Sequence, residues 1–556
     1  MNPHESSTGP GSQLNLLPDG DTVRLAGVAR GEWTWVTFAG AIVLLLASLP
    51  VLAGWMMSRP EREFGGFVLH LPDGFSYLAK MRLGADGAWL FSDVYAVEPH
   101  PPALLYLPYL LLGKLAGSSP GAILAIYHLA RLIFGALLLL VTYRFVALLL
   151  VVTWQRRLAW LLIAVGGGFG WLLIALTGDP VPLDTPPLDL NLGEAFSFVA
   201  LMTIPHVLLA RSALLAGVMW YAQALTNPDP WRYVIGAAAA WLVATAVVPF
   251  DIVVAGGAVA GLLLMRWLRT RRMLWREAAL GIVAGLPGAL WVIALLVMIG
   301  GNEVYAQWTA QNDLMRPHPL HLLSAFGVPA VLAVFGARRV WRERRPYADL
   351  FVGWALTAPL LTLIPISVQL RLIEVFAVPL FTLAVAALDG LNTRPVTRAV
   401  VSVALVVLLL PSTLLLSLGG AAEALSGSGR VFLSGDEMAA YAWLDAHAPP
   451  GAVVLSSEQV GLIAPSRAPV RAVLGHGFET PYYARKTAEI AGFYSGDMPM
   501  AERSSLLAKY DVRYVWWGPD ERALGAIDPA SLPWLKPAYV QAQVTIYDVA
   551  PVASPD

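Results

Sequence analysis

The sequence predicts a polytopic α-helical membrane protein of about eleven spans with a C-terminal extracytoplasmic α/β domain. Three observations carry that reading. Charged residues are 13% and hydrophobic residues 57% of 556, where soluble proteins carry ~25% charge. Mean hydropathy is +0.62, and the apolar residues gather in runs near the ~20 that cross a hydrocarbon core. After residue 425 the runs give way to short alternating segments separated by polar stretches. The net charge of −1 leaves no basic face for nucleic acid. The absence of cysteine excludes disulfides, iron–sulfur clusters and thiolate zinc sites, so any metal would rest on Asp, Glu or His.

Residues 1–32 are polar and read as a cytoplasmic tail. Residues 33–57 are too long an apolar stretch for a signal-peptide core and form the first span. Further spans follow at 124–151, 159–177, 203–225, 231–248, 251–268, 278–300, 320–336, 348–366, 371–389 and 398–418, within a membrane domain of residues 33–420. Arginines test the count. Arg156/Arg157, Arg266/Arg269/Arg271/Arg272/Arg276, Arg338/Arg339/Arg342/Arg344/Arg345 and Arg394/Arg398 all fall on one side of an alternating trace. By the positive-inside bias that side is cytoplasmic. Residues 101–117 are apolar enough to resemble a span, but counting them as one would invert every arginine cluster. They are therefore placed, with 73–84, as helices along the outer interface in a first external loop of residues 58–123.

The C-terminal part, residues 425–556, opens on Ser-Gly-Ser-Gly-Arg at 426–430. Its strand-like runs are 452–457, 470–474, 512–517 and 544–549, with helical stretches near 436–446, 481–493 and 500–509. No internal repeat or heptad run is present.

Polar chemistry is densest in the first external loop, at Asp73, Tyr77, Lys80, Arg82, Asp93, Glu98 and His100. A carboxylate can deprotonate a hydroxyl, a cation can neutralise a departing phosphate, and an aromatic face can pack on a sugar ring. Each residue also has a plainer role. Asp73 can cap a helix starting at Gly74, Glu98 and His100 can satisfy each other or loop amides, and Lys80 and Arg82 can snorkel to lipid headgroups. Arg371 opens the tenth span, where it can grip a phosphate with both prongs or pair with Glu374. Asp251, in the tight turn after Pro249-Phe250, can cap its helix or take a metal or substrate role. In the connection 301–319, Tyr305, Gln307, Trp308, Gln311 and Asn312 are of types that stack on sugars and bond hydroxyls, or that anchor in the interface. Asp179, Asp184, Asp189 and Glu194 precede the Pro205-His206 pair; such carboxylates can bind a metal, but their spacing better suits exclusion of basic residues. Gly166, Gly167, Gly168 and Gly170 suit close helix packing, and Arg131 a helix-end anchor.

The string D-G-F-S-Y-L-A-K-M-R-L-G-A-D-G-A-W-L at 73–90, followed by E-P-H-P-P-A-L-L-Y at 98–106, resembles the first periplasmic loop of GT-C glycosyltransferases. The likeness is nearest to protein O-mannosyltransferases and lipid A aminoarabinose transferases. Those share an acidic residue four before a tyrosine, a Gly-x-Trp-like turn and a Pro-Pro helix start. Two departures stand out: Gly74 follows Asp73 where relatives often carry Asp-Glu, and Glu61 to Glu63 add an acidic-basic stretch upstream.

The resemblance implies a GT-C-like fold in the cell membrane and transfer of a sugar from a polyprenyl-phosphate-linked donor to an extracytoplasmic glycan, lipid or protein acceptor. It implies Asp73 as base, with Tyr77 and Glu98 lining the pocket. Arg371, with Lys80, would hold the leaving phosphate, and Arg82, His100, Trp308 and Gln311 complete the expected substrate contacts. A lipid-linked donor also follows from sidedness, because no phosphate-cradling glycine loop occurs in the external segments. Single displacement would invert the anomeric carbon. No cofactor is required; a divalent metal, with Asp251 as candidate ligand, stays open. The rivals are a lipid-glycan transporter or flippase and a catalytically inactive glycan-binding relative. Transporters carry repeated halves and ionisable groups near the midplane, whereas here the ionisable residues gather at the outer edge.

Overall fold

The computed structural model describes residues 27–312, 316–389, 395–429 and 431–550, so Arg394, Arg430 and most of the N-terminal tail lie outside it. All eleven apolar stretches fall on helices. Among the described residues eight helices are long and apolar enough to cross a membrane: Arg30–Met57, Pro120–Val146, Pro205–Ala224, Asp251–Thr270, Trp275–Ile299, Pro319–Arg342, Gln369–Leu388 and Pro395–Ser426. A bent pair, Thr153–Val165 and Gly170–Thr177, would make a ninth. The other two, Trp231–Val247 and Ala348–Leu361, have only 17 and 14 residues.

The glycines of the third stretch allow the close packing expected, since a Cβ on Gly168 would sit 2.6 Å from the Ala325 backbone, and they also mark a bend. The chain breaks at residues 166–169, and the freed amides of Gly168 and Gly170 donate to Asp189 Oδ2 at 2.8 and 3.1 Å. Ser412 Oγ donates to the same oxygen at 2.6 Å. Backbone groups orphaned inside a membrane must find partners. Asp189, expected to discourage basic residues, supplies one.

In the first external loop, the helices Leu71–Ala85 and Leu107–Ala116 lie against each other at glycines. A Cβ on Gly84 would sit 2.0 Å from the Leu110 carbonyl oxygen, and one on Gly113 would sit 1.8 Å from that of Met81. Only glycine permits such an approach, which brings Tyr77 of one helix onto Tyr109 of the other.

Strand β1, Arg62–Phe64, formed by the unexplained acidic-basic stretch, pairs antiparallel with β2, Phe432–Ser434. The C-terminal sheet follows: β3 Ala452–Leu455, β4 Val470–Ala472, β5 Val512–Trp517, β6 Leu535–Gln541 and β7 Val544–Val549, in the order β4-β3-β5-β7-β6. β3 runs parallel to β4 and β5, while β7 is antiparallel to β5 and β6. β6 escapes the sequence pattern because Lys536 and Pro537 break it, and its edge position tolerates the proline.

Alternation sends Val454, Tyr514, Trp516 and Ile546 to one core and Val453, Leu455, Val515 and Tyr547 to the other, so both faces are covered. The first core also contains Phe75, Leu78, Ala79 and Tyr95 of the external loop. Loop and sheet thus share one interior. This corrects the expectation that residues 73–84 lie along the lipid interface.

Candidate functional site

The Leu71–Ala85 helix begins two residues earlier than expected. His70, at φ +50°, turns the chain into it and occupies the N-cap position, with Pro72 in the first turn. Asp73 is therefore inside the first turn rather than capping it. There its charge complements the helix N-terminus, and its Oδ1 meets His476 Nε2 at 3.3 Å while 44% of the side chain stays exposed.

His476 follows the carboxyl end of β4, the edge where open α/β sheets place ligands. Burial opposes ionisation of Asp73. The hydrogen bond and charge of His476, with the fields of His70 and Arg371, outweigh it and hold the carboxyl at about 2. Burial opposes the charge on His476 as well, yet the carboxylates of Glu479 and Asp73 raise its pKa.

Tyr77, one turn beyond Asp73, stacks on Tyr109 at 4.6 Å and meets His206 edge-on at 5.1 Å. Tyr109 Oη and His206 Nδ1 are 2.7 Å apart, which locks this aromatic shelf. Arg371 lies in the 3₁₀ turn Gln369–Ile373 at the head of its helix, 30% exposed. It is held loosely: Nε is 3.5 Å from Glu194, and the guanidinium donates to Asn312 Oδ1 at 3.3 Å. The alternative role, pairing with Glu374, does not occur. Glu374 turns into the protein and bonds buried Arg211, which also donates to the Gly193 carbonyl.

Several other candidates are occupied. Lys80 is 1% exposed, donates to both oxygens of Glu479 at 2.8 and 2.9 Å, and lies 4.2 Å from the Tyr106 ring centroid. Arg82 donates to Asp86 at 2.9 Å, to Asp445 at 2.6 Å, and to the Ser118 and Arg467 carbonyls. Neither reaches a lipid headgroup, because the C-terminal region covers both. Ser76 also donates to Glu479. Burial opposes charge on Glu479 but Lys80 lowers its pKa, while burial and the Glu479 charge push neighbouring Asp93 up to about 7.

Glu98 accepts from Lys486 at 2.9 Å instead of meeting the His100 side chain. His100 serves its own loop, accepting from the Asp93 amide at 2.9 Å and contacting the Glu98 carbonyl. Trp308 packs near Phe91 and Tyr106. Gln311 donates to the Thr480 carbonyl at 2.8 Å, tying the 301–319 connection to the loop that bears His476. Arg131, expected as a helix-end anchor, is buried and bonds the Leu201 carbonyl and Ser48.

Asp251 is 1% exposed and its carboxylate makes no capping bond. Among the described residues no three His, Asp or Glu side chains gather as a metal site, so Asp251 lacks the companions an ion needs.

The structure thus brings Asp73, Tyr77 and Arg371 into one electrostatic neighbourhood. His476, Glu479, His206 and the Tyr109 shelf were missed as site residues. The segment His476 to Thr480, between a β-type run and a helical stretch, was the available signal. A half-open carboxylate within the field of a partly exposed guanidinium, next to an aromatic shelf, can orient a hydroxyl against a departing anion.

No protein-family model and no curated protein sequence matches this chain. Solved structures do. The oligosaccharyltransferase of Archaeoglobus fulgidus, crystallised with Zn and sulfate, superposes with a TM-score of 0.57 at 14% identity, over 93% of this chain and 73% of that one. The same organism's AglB, solved with an inhibitory peptide and a dolichol-phosphate, gives 0.54 at 12% identity, covering 88% and 70%. ArnT of Cupriavidus metallidurans bound to undecaprenyl phosphate gives 0.53 at 15% identity, covering 95% and 100%. The chain has the fold of these solved structures, as the first loop led one to expect.

Proposed function

We propose that the protein is an integral-membrane glycosyltransferase that moves a sugar from a polyprenyl-phosphate-linked donor to an acceptor on the side of the C-terminal region. The observation that carries this is Asp73, ionised and half-open, in reach of the Arg371 charge. The fold supports it, since structures of like fold were solved with dolichol-phosphate and with undecaprenyl phosphate.

In the proposed step the acceptor hydroxyl donates a hydrogen bond to Asp73 and attacks the anomeric carbon as its bond to the phosphate oxygen breaks. Arg371 holds the phosphate as negative charge develops, through the two-pronged geometry of a guanidinium. Lys80 stays out of this role because Glu479 neutralises it. Asp73 is a weak base with a pKa of about 2. It therefore takes the proton late, once the new C–O bond has made the hydroxyl acidic, and before then it orients the nucleophile. Attack opposite the leaving group inverts the sugar carbon. Tyr77, backed by Tyr109, offers the ring face for the sugar.

The test is transfer from a panel of polyprenyl-phosphate sugars by purified protein, with product stereochemistry read by NMR. An inverted product that disappears with Asp73→Asn supports the assignment; retained configuration, or full turnover by the variant, overturns it.

A further inference from the structure

A second amphipathic site lies at the far end of the membrane helices from Asp73. The Pro319–Arg342 helix starts eight residues after Gln311, which touches the C-terminal region, and its 24 residues span ~36 Å at ~1.5 Å each, toward the opposite face. Gly336 packs onto the backbone of the Gln369–Leu388 helix, where a Cβ would stand 1.8 Å from the Leu383 carbonyl oxygen. Beside this contact the two helices leave a groove of about 610 Å³. One wall is apolar, formed by Leu332, Leu388 and Phe335, the last 64% exposed. The other is cationic, formed by Arg338, Arg339 and Arg342.

Counting charges shows what is missing. Among the described residues Glu343 is the only acid in the lining, and it takes Arg339 at 2.7 Å and Arg345 at 2.7 Å. Arg338 and Arg342, four residues apart and so on one helix face, have no ion-pair or hydrogen-bond partner among the described residues.

We propose that this groove binds an anionic phospholipid of the leaflet opposite the C-terminal region. Its headgroup phosphate bridges Arg338 and Arg342, and an acyl chain lies along Leu332, Phe335 and Leu388. Two unpaired guanidiniums beside the exposed Phe335 ring, with partly buried Leu332 and buried Leu388 behind it, match a phosphate joined to hydrocarbon in charge and in polarity. The site is separate from Asp73 and Arg371, so it serves the seating of the membrane helices rather than transfer.

Native mass spectrometry of delipidated full-length protein offered phosphatidylglycerol or phosphatidylcholine with the same acyl chains tests this. Phosphatidylglycerol should be retained about tenfold better, and Arg338→Gln with Arg342→Gln should abolish the preference, from the loss of two phosphate contacts. Arg272→Gln with Arg276→Gln removes two other exposed arginines near that face and should leave the preference intact. Equal retention of the two lipids overturns the proposal, as does an equal fall in both double variants. Stronger competition by undecaprenyl phosphate than by phosphatidylglycerol also overturns the choice of occupant. Should the double variant not fold, Arg342→Gln alone, at the exposed last residue of its helix, serves: an unchanged preference rejects the site.

Discussion

Two ion pairs join the Leu71–Ala85 helix to the loop after β4, and they are finished to different degrees. At the inner pair, Glu479 has Lys80 and Ser76 on both oxygens, and the two charged side chains are 1% and 7% exposed. At the outer pair, two helical turns away, Asp73 touches His476 at 3.3 Å and keeps 44% of its side chain exposed. The arginines near residue 371 repeat the contrast: Arg211 and Glu374 are each 2% exposed and bonded together, whereas Arg371 is 30% exposed on a 3.5 Å contact. A pair that closes on itself ties the chain together. A pair left open keeps bonding capacity for a substrate, and the two open members carry the signs that the proposed hydroxyl and phosphate require.

The largest effect that would break this comparison is at Asp73. Asp73→Asn keeps the size of the side chain, so the purified variant should melt close to the parent while transfer falls ~10²–10⁴-fold, the range for a lost general base. A large drop in melting temperature would place Asp73 among the ties. At the inner pair the opposite is expected. Lys80→Ala strands a buried carboxylate and should lower stability by about 3–5 kcal/mol, with much of it restored in Lys80→Ala combined with Glu479→Gln. Chemical or thermal denaturation of the purified protein measures both, and an unaltered single variant would show that this pair ties nothing.

A smaller effect is expected at Arg371. Arg371→Lys keeps the charge but loses the fork, so titration with undecaprenyl phosphate should show about tenfold weaker binding with unchanged stability. Arg211→Lys should instead destabilise, since it breaks buried bonds to Glu374 and Gly193. Equal behaviour of the two variants would erase the distinction between them.

The smallest effect is a pH dependence of the outer pair. The Asp73 pKa is depressed to about 2, so its contribution is present above the ordinary aspartate range and is lost as pH falls toward 2. The His476 pKa is raised, so its contribution is complete below the ordinary histidine value and is lost as pH rises through the raised one. The outer pair's share of the melting temperature should therefore hold from about pH 4 to above 6.5 and fall on the alkaline side, superposed on the loss between about pH 4 and 7 that the raised Asp93 carboxyl imposes. His476→Gln should flatten that alkaline fall; an unchanged profile would remove His476 from it.

The membrane helices were legible because crossing lipid demands long apolar runs; within residues 101–117 the apolar stretch forms a helix of only 10 residues, Leu107–Ala116. The broken third stretch was not, although Gly166 to Gly170 stand in the sequence, because the carboxylate that supports the break lies at Asp189. Asp73, Tyr77 and Arg371 were legible as residue types. Their partners were not: Asp73 and His476 are 403 positions apart, and no local periodicity reports such a pairing. Lys80 and Arg82 looked like interfacial cations because nothing nearby in sequence shows that a sheet will cover them. Glu374 looked like the partner of Arg371 because three residues make one helical turn. At Glu374 the backbone leaves the 3₁₀ turn, with φ −44° and ψ 129°, and the side chain departs toward Arg211.

The strand pairing between residues 62–64 and 432–434 sets the order in which a newly made chain becomes complete. Its two halves emerge from the ribosome some 370 residues apart, and loop closure of that length costs entropy that grows as the logarithm of the separation. The membrane helices synthesised in between bring the ends together and remove most of that cost. β1 therefore waits, unpaired, until the bundle has assembled beneath it. Asp73 waits longer still, for His476. A chain halted anywhere in the membrane part holds this carboxylate without the imidazole that helps set its charge, so the pair forms only after synthesis has passed residue 476.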